Sequence, residues 1–101
     1  MCQYLYNLIM EIKQIKTLER VFKGVGNHYR IKTLFLIDKS PEISLDEIVR
    51  ALKANYFTIS EHVNRLRIAG LISKKYKGKY VIHTLTPYGN KIITILNNFF
   101  D

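Results

Sequence analysis

The chain has 101 residues, 48% of them hydrophobic and 24% charged, which describes a globular protein of about one domain's length rather than a disordered one. Sixteen Lys and Arg stand against eight Asp and Glu, a net charge of +8, and residues 55–101 hold seven of the bases but only two acids. Such a surplus suits a polyanionic partner, nucleic acid before a membrane surface, while the single cysteine, Cys2, excludes an intrachain disulfide and suits a reducing, cytoplasmic setting.

No signal peptide is expected, because Glu11 and Lys13 interrupt the first apolar run and no basic stretch precedes it. No run approaches the roughly 18 apolar residues that a membrane span needs. Residues 3–22 predict a helix, with Leu5, Leu8, Ile12, Ile15 and Phe22 on a stripe that Ile9, Leu18 and Val21 widen. The glycines of KGVGN predict a break after it, and Asn27 is placed to cap a helix over 28–38 with Ile31, Leu34 and Phe35 inward. Ser40-Pro41 stops that helix.

SLDE at 44–47 is a capping box that opens a short helix with Leu45, Ile48, Val49 and Leu52 inward. Asn55 caps the next helix, over 56–69, and Gly70 ends it. LISKKY (71–76) and YVIHTL (80–85) read as strands joined by Lys77-Gly78-Lys79, a basic hairpin tip. Thr86-Pro87 then starts a last helix, to about residue 99. The expected fold is mostly α with a small β-hairpin: one winged helix-turn-helix domain over 1–101, with the helix-turn-helix at 45–69 and the wing at 71–85.

The second helix of that pair carries the functional signal. With Ile59, Val63 and Leu66 inward at 100° per residue, the outer face shows Tyr56, Phe57, Thr58, Ser60, Glu61, Asn64 and Arg65. Ser and Asn can hydrogen-bond base edges in the major groove, and an apolar group can pack on a thymine methyl. A merely solvated face is the plainer alternative. The hairpin favours the functional one, since Lys74, Lys75, Lys77 and Lys79 lie within six residues without an acid among them, as phosphate contacts would. Edge lysines that only suppress aggregation are its plainer counterpart.

The runs GNHYRIKTLFLI and SLDEIVRALKANYFTISEHVNRLRIAGLISKKYKGKYVIHTL resemble the winged-helix core of ArsR-type prokaryotic transcription regulators, and LTPYGNKI resembles the start of the last helix in MarR-like relatives. The resemblance covers about residues 24–96. It implies a homodimeric, double-stranded-DNA-binding regulator whose terminal helices pair two subunits, with Leu5, Leu8, Ile12, Ile15, Ile92, Leu96 and Phe99 at the interface. The alternative is that both helices simply close one subunit's core. Metal-sensing members carry Cys-x-Cys where this chain has LDEIVRAL, and the other metal site of the family needs Asp, His or Glu that residues 87–100 lack. No metal site or cofactor is therefore expected, and no small-molecule effector is identifiable from the residues. The family often has a basic or polar residue at the position of Glu61, which here forms an i,i+4 pair with Arg65.

Three function classes remain in order. A nucleoid-associated DNA-binding regulator comes first. A protein-docking winged helix, for which exposed Phe57 and Ile68 argue, or a non-specific chromatin-like binder comes second. An enzyme comes last, because no paired carboxylates, nucleophile–His set or phosphate loop sits at usable spacing.

Overall fold

The structure is a computed structural model that describes residues 2–101; in the first ten residues only the side chain of Leu5 is described. Five helices and three strands follow in the order α1 (Cys2–Val25), α2 (His28–Lys39), β1 (Ile43–Ser44), α3 (Leu45–Leu52), α4 (Tyr56–Ile68), β2 (Ile72–Lys77), β3 (Tyr80–Leu85) and α5 (Pro87–Asn98). Helix α1 runs on through Lys23-Gly24-Val25, past the expected end at residue 22, and the break expected in KGVGN falls at Gly26-Asn27. The physical reason is close approach. A Cβ on Gly24 would collide with the Cβ of Ala69 at the end of α4, so the glycine lets two helices meet.

Local chemistry sets the helix ends. Asn27 Oδ1 accepts from the backbone N–H of Tyr29 and Arg30, and Asn55 Oδ1 from those of Phe57 and Thr58. Ser44 and Glu47 complete the capping box reciprocally. The tight link between α3 and α4 turns on Lys53 in the left-handed region at φ 50°, and Gly70 at φ 83° frees the chain from α4 into β2.

The sheet has three strands, not two. β3 is central, paired antiparallel with β2 along the hairpin and with β1 through Ile43↔His83 and Ser44↔Ile82. The core lies where α2, α3 and α4 meet the inner end of this sheet, around the wholly buried Leu34, Ile37, Ile48, Ile59, Leu66 and Leu71. Burying such side chains contributes about 1.5–3 kcal/mol each. Leu34 and Ile37 line α2's inner face, while the expected Ile31 and Phe35 are only half-buried beside it.

Two terminal helices flank this body unequally. α5 gives Ile92 and Ile93 to the core, which corrects the expectation that Ile92 faces a second subunit; its own subunit covers it. Leu96 is half-buried against the same core. α1 packs by Val21 and Val25, but Leu5, Ile12, Ile15, Leu18 and Phe22 are exposed. The long axis extends 55 Å, and the 15.9 Å radius of gyration exceeds the roughly 13 Å of a compact chain this size. Leu8 lies outside the described side chains.

Candidate nucleic-acid interface

α4 stands at the surface because one stripe of it, Ile59, Val63 and Leu66, is fixed in the core. Its other side is thereby forced outward. Phe57 is 79% exposed and Ile68 63%, values too high for core side chains of this subunit. Tyr56 meets the Phe57 ring edge-on at 5.8 Å. Thr58, Glu61, Asn64 and Arg65 are exposed and Ser60 is half-buried.

Two polar pairs order this face. Arg65 donates to Glu61 Oε1 at 3.0 Å, the expected i,i+4 pair, and Arg67 donates to Asn64 Oδ1 at 2.8 Å. The first leaves Glu61 an acceptor already partly engaged. The second fixes the Asn64 amide while leaving its NH₂ donors free.

The wing rises beside this helix, and the register divides its lysines. Antiparallel partners share a face, so Lys74, paired with His83, and Val81, paired with Tyr76, belong to one side of the hairpin. Lys75, paired with Ile82, and Lys77, paired with Tyr80, belong to the other. Lys74 and Lys79 line a cleft of about 530 Å³ whose far wall is Tyr56, Phe57, Ser60 and Asn64 of α4. Lys77 instead donates to Glu42 Oε2 at 3.0 Å. The four lysines are thus all exposed, but two face α4 and one is tied to a carboxylate.

Two histidines support the arrangement from beneath. His83 is buried on β3, and its Nδ1–H donates to Ile43 O at 3.1 Å, which welds β1 to the wing. Burial holds its pKa below the ordinary value, against the opposing pull of that bond. His62 is half-buried on α4 and accepts at Nδ1 from the Arg30 guanidinium at 3.0 Å. Burial first, and the Arg30 charge second, lower its pKa. Arg30 also donates to Gly24 O at 2.6 Å and Lys23 O at 3.4 Å, satisfying carbonyls at the end of α1. One side chain therefore ties α1, α2 and α4 together. Nothing in the residue pattern marked that role, since its partners lie six, seven and thirty-two positions away.

Among the described residues, no three His, Cys, Asp or Glu side chains gather as a metal ion would require, and no helix is long and apolar enough to cross a membrane.

No family model matches the chain. The arsenic resistance transcriptional regulator ArsR1 of Pseudomonas putida is 32% identical over 76 residues, 75% of this chain, which spans 59% of that relative's length. HlyU from Vibrio cholerae superposes with a TM-score of 0.77 at 25% identity, over 86% of this chain and 95% of its own. A homodimeric winged helix-turn-helix DNA-binding domain from Mycobacterium bovis, a possible ArsR-family transcriptional regulator, gives a TM-score of 0.78 at 19% identity, over 86% and 81% of the two chains. The chain is a winged helix-turn-helix protein, similar in sequence and in fold to the ArsR-type regulators.

Proposed function

We propose that this chain is a transcriptional regulator that binds duplex DNA as a homodimer, with α4 in the major groove and the wing lysines on the phosphate backbone. The observation that carries the reading is the outward face of α4, rich in hydrogen-bonding groups and edged by Lys74 and Lys79 across one cleft. The major groove is about 12 Å wide and admits one helix. Ser60 and the free NH₂ of Asn64 suit base-edge acceptors. Phe57 suits a thymine methyl, and Glu61 can accept from cytosine N4. Tyr56, Thr58 and Arg65 flank these groups, and Lys75 and Lys77 extend the backbone contact along the wing. Likeness to a named regulator and to a homodimeric DNA-binding domain supports the same reading.

Dimerisation rests on exposed apolar surface at both termini. Leu5, Ile12, Ile15, Leu18 and Phe22 of α1, with Ile95, Phe99 and Phe100 at the other end, are each at least 47% exposed. A monomer would leave that surface in water, and contiguous patches of this kind mark interfaces. A two-fold pair would bury it and hold two α4 helices about one DNA turn, roughly 34 Å, apart. Location on the nucleoid in the cytoplasm follows from DNA binding.

Fluorescence anisotropy of labelled duplex DNA tests the proposal. Binding should weaken steeply with salt, because each phosphate contact adds about 0.9 to the slope of log affinity on log salt. Replacing Lys74, Lys75 and Lys79 by Ala should lower affinity alike for every sequence. No binding at low salt, or binding that ignores salt, contradicts it. The exposure of Phe57 and Ile68 favours one second reading, a protein partner docked on α4; a pull-down that survives DNase treatment would select it.

A further inference from the structure

The major groove is bounded by two phosphate strands, and the wing lies on only one side of α4. At 100° per residue, Ser60 and Arg67 sit on the wing-side flank of α4's outer face, Glu61 and Asn64 at its middle, and Arg65 on the far flank. That far flank is not bare. There the last turns of α1 and the start of α2 form a second cleft against α4, about 460 Å³, lined by Arg20, Lys23, Arg30 and Arg65, with Glu61 its one acid. Glu61 and Asn64 border both clefts, so the two share one helix face.

We propose that this second cleft is a phosphate-binding site, and that it holds the DNA strand opposite the one the wing tracks. The proposal rests on the reading that α4 enters the major groove.

Three of its cations are guanidiniums already set in place. Arg20 Nε donates to Ala69 O at 3.3 Å, Arg30 Nε to Gly24 O at 2.6 Å, and Arg65 to Glu61 at 3.0 Å. Each guanidinium has five N–H donors, so these bonds orient the group and leave further donors for a ligand. Arginine held in this way loses little freedom on binding an oxyanion, and its planar fork matches phosphate. Lys23 adds an exposed charge, paired among the described residues with Glu19 on its own helix at 3.4 Å.

The cations also repel one another. Burial lowers the Arg30 pKa most, but the Arg65 charge lowers it further, and Glu61 only partly opposes them. A phosphodiester seated among them supplies the missing negative charge. The site is continuous with the reading face through Glu61 and Asn64, so one duplex can reach both clefts at once. That continuity selects a nucleic-acid backbone over an unrelated anion.

The test compares three proteins on one labelled duplex across a salt series: wild type, the wing variant Lys75→Gln/Lys79→Gln, and the cleft variant Arg20→Gln/Lys23→Gln. The cleft variant should lose about 0.9 from the salt slope for each phosphate contact removed, with no change in preference among sequences. A cleft variant with wild-type slope and affinity, beside a weakened wing variant, overturns the second phosphate site and leaves the regulator reading standing. A wild type without salt-dependent binding overturns both. Should the cleft variant fail to give a cooperative melt, Lys23→Gln alone decides, since its side chain is exposed and among the described residues holds only Glu19. A shallower slope supports the site, and an unchanged one refutes it.

Discussion

Gly89→Ala is expected to destabilise the protein, although helix propensity alone argues the reverse. Gly89 lies in the first turn of α5, where its N–H donates to Thr86 Oγ1 at 3.1 Å. Thr86 in turn donates through Oγ1 to Gly70 O at 2.6 Å and through its backbone to Leu71 O at 3.0 Å. These bonds clamp α5 onto the chain where it leaves α4. A Cβ at Gly89 would collide with Leu71 O and lie 3.2 Å from both Leu71 C and Leu85 Cδ2. Leu71 is wholly buried, so its backbone has no room to retreat. Alanine in a helix gains about 0.5–1 kcal/mol over glycine, but overpacking costs about 1–3 kcal/mol. A rigid carbonyl puts this case in the upper part of that range. The net loss is about 1–2 kcal/mol, or a fall in Tm of roughly 5–15 °C for a domain this small. Thermal melts followed by circular dichroism at one fixed protein concentration measure it, with Asn90→Ala, on the exposed side of the same turn, as control. A Gly89→Ala protein that melts at or above wild type refutes the close-approach argument.

Glu61→Ala should change stability by no more than about 0.5 kcal/mol, because the Arg65 pair it removes is exposed. It should also tighten binding to all DNA by removing a carboxylate from the reading face, measured by anisotropy; weaker binding throughout would contradict its placement, and relaxed preference at one base pair would identify it as a base reader. Stability should fall in acid. His62 and His83 both have pKa values lowered from an ordinary value near 6.5, so the unfolded chain takes up protons first. Their contribution is intact above that value and lost as pH drops through it towards the folded values. Urea midpoints measured from about pH 8 to about pH 5 should therefore decline, less so in His62→Gln; a midpoint that rises towards acid would oppose the linkage. Ser44→Ala should cost about 1 kcal/mol in urea unfolding, since it removes the hydroxyl that accepts from Glu47 N–H at 3.2 Å. An unchanged midpoint would show the capping box to be idle.

The elements whose causes are local were legible in the residues. The Asn27, Ser44, Asn55 and Thr86 caps, the Gly70 exit and the Glu61–Arg65 pair depend on neighbours within four positions, and each stands where the pattern put it. What escaped depends on partners far along the chain. β1 is two residues long and exists because β3 lies beside it; nothing in Ile43-Ser44 alone says strand. Gly24 looked like punctuation because its reason, Ala69, is 45 positions away. Ile92 was expected at a second subunit because the resemblance pairs the terminal helices, and a broad apolar stripe does not say which part meets its own core. The wing-side cleft was half legible, as α4 and the lysines were both read but not the register that turns Lys74 towards α4 and Lys75 away. Arg20 and Lys23 went unread for function, since α1 carried only an apolar signal.

Selection of bound sequences from a random pool of duplex DNA tests the central claim most directly. A homodimer with α4 in the major groove predicts enrichment of an inverted repeat, its half-sites centred about one helical turn apart, roughly 10 base pairs. A pool that stays random after repeated selection would contradict it.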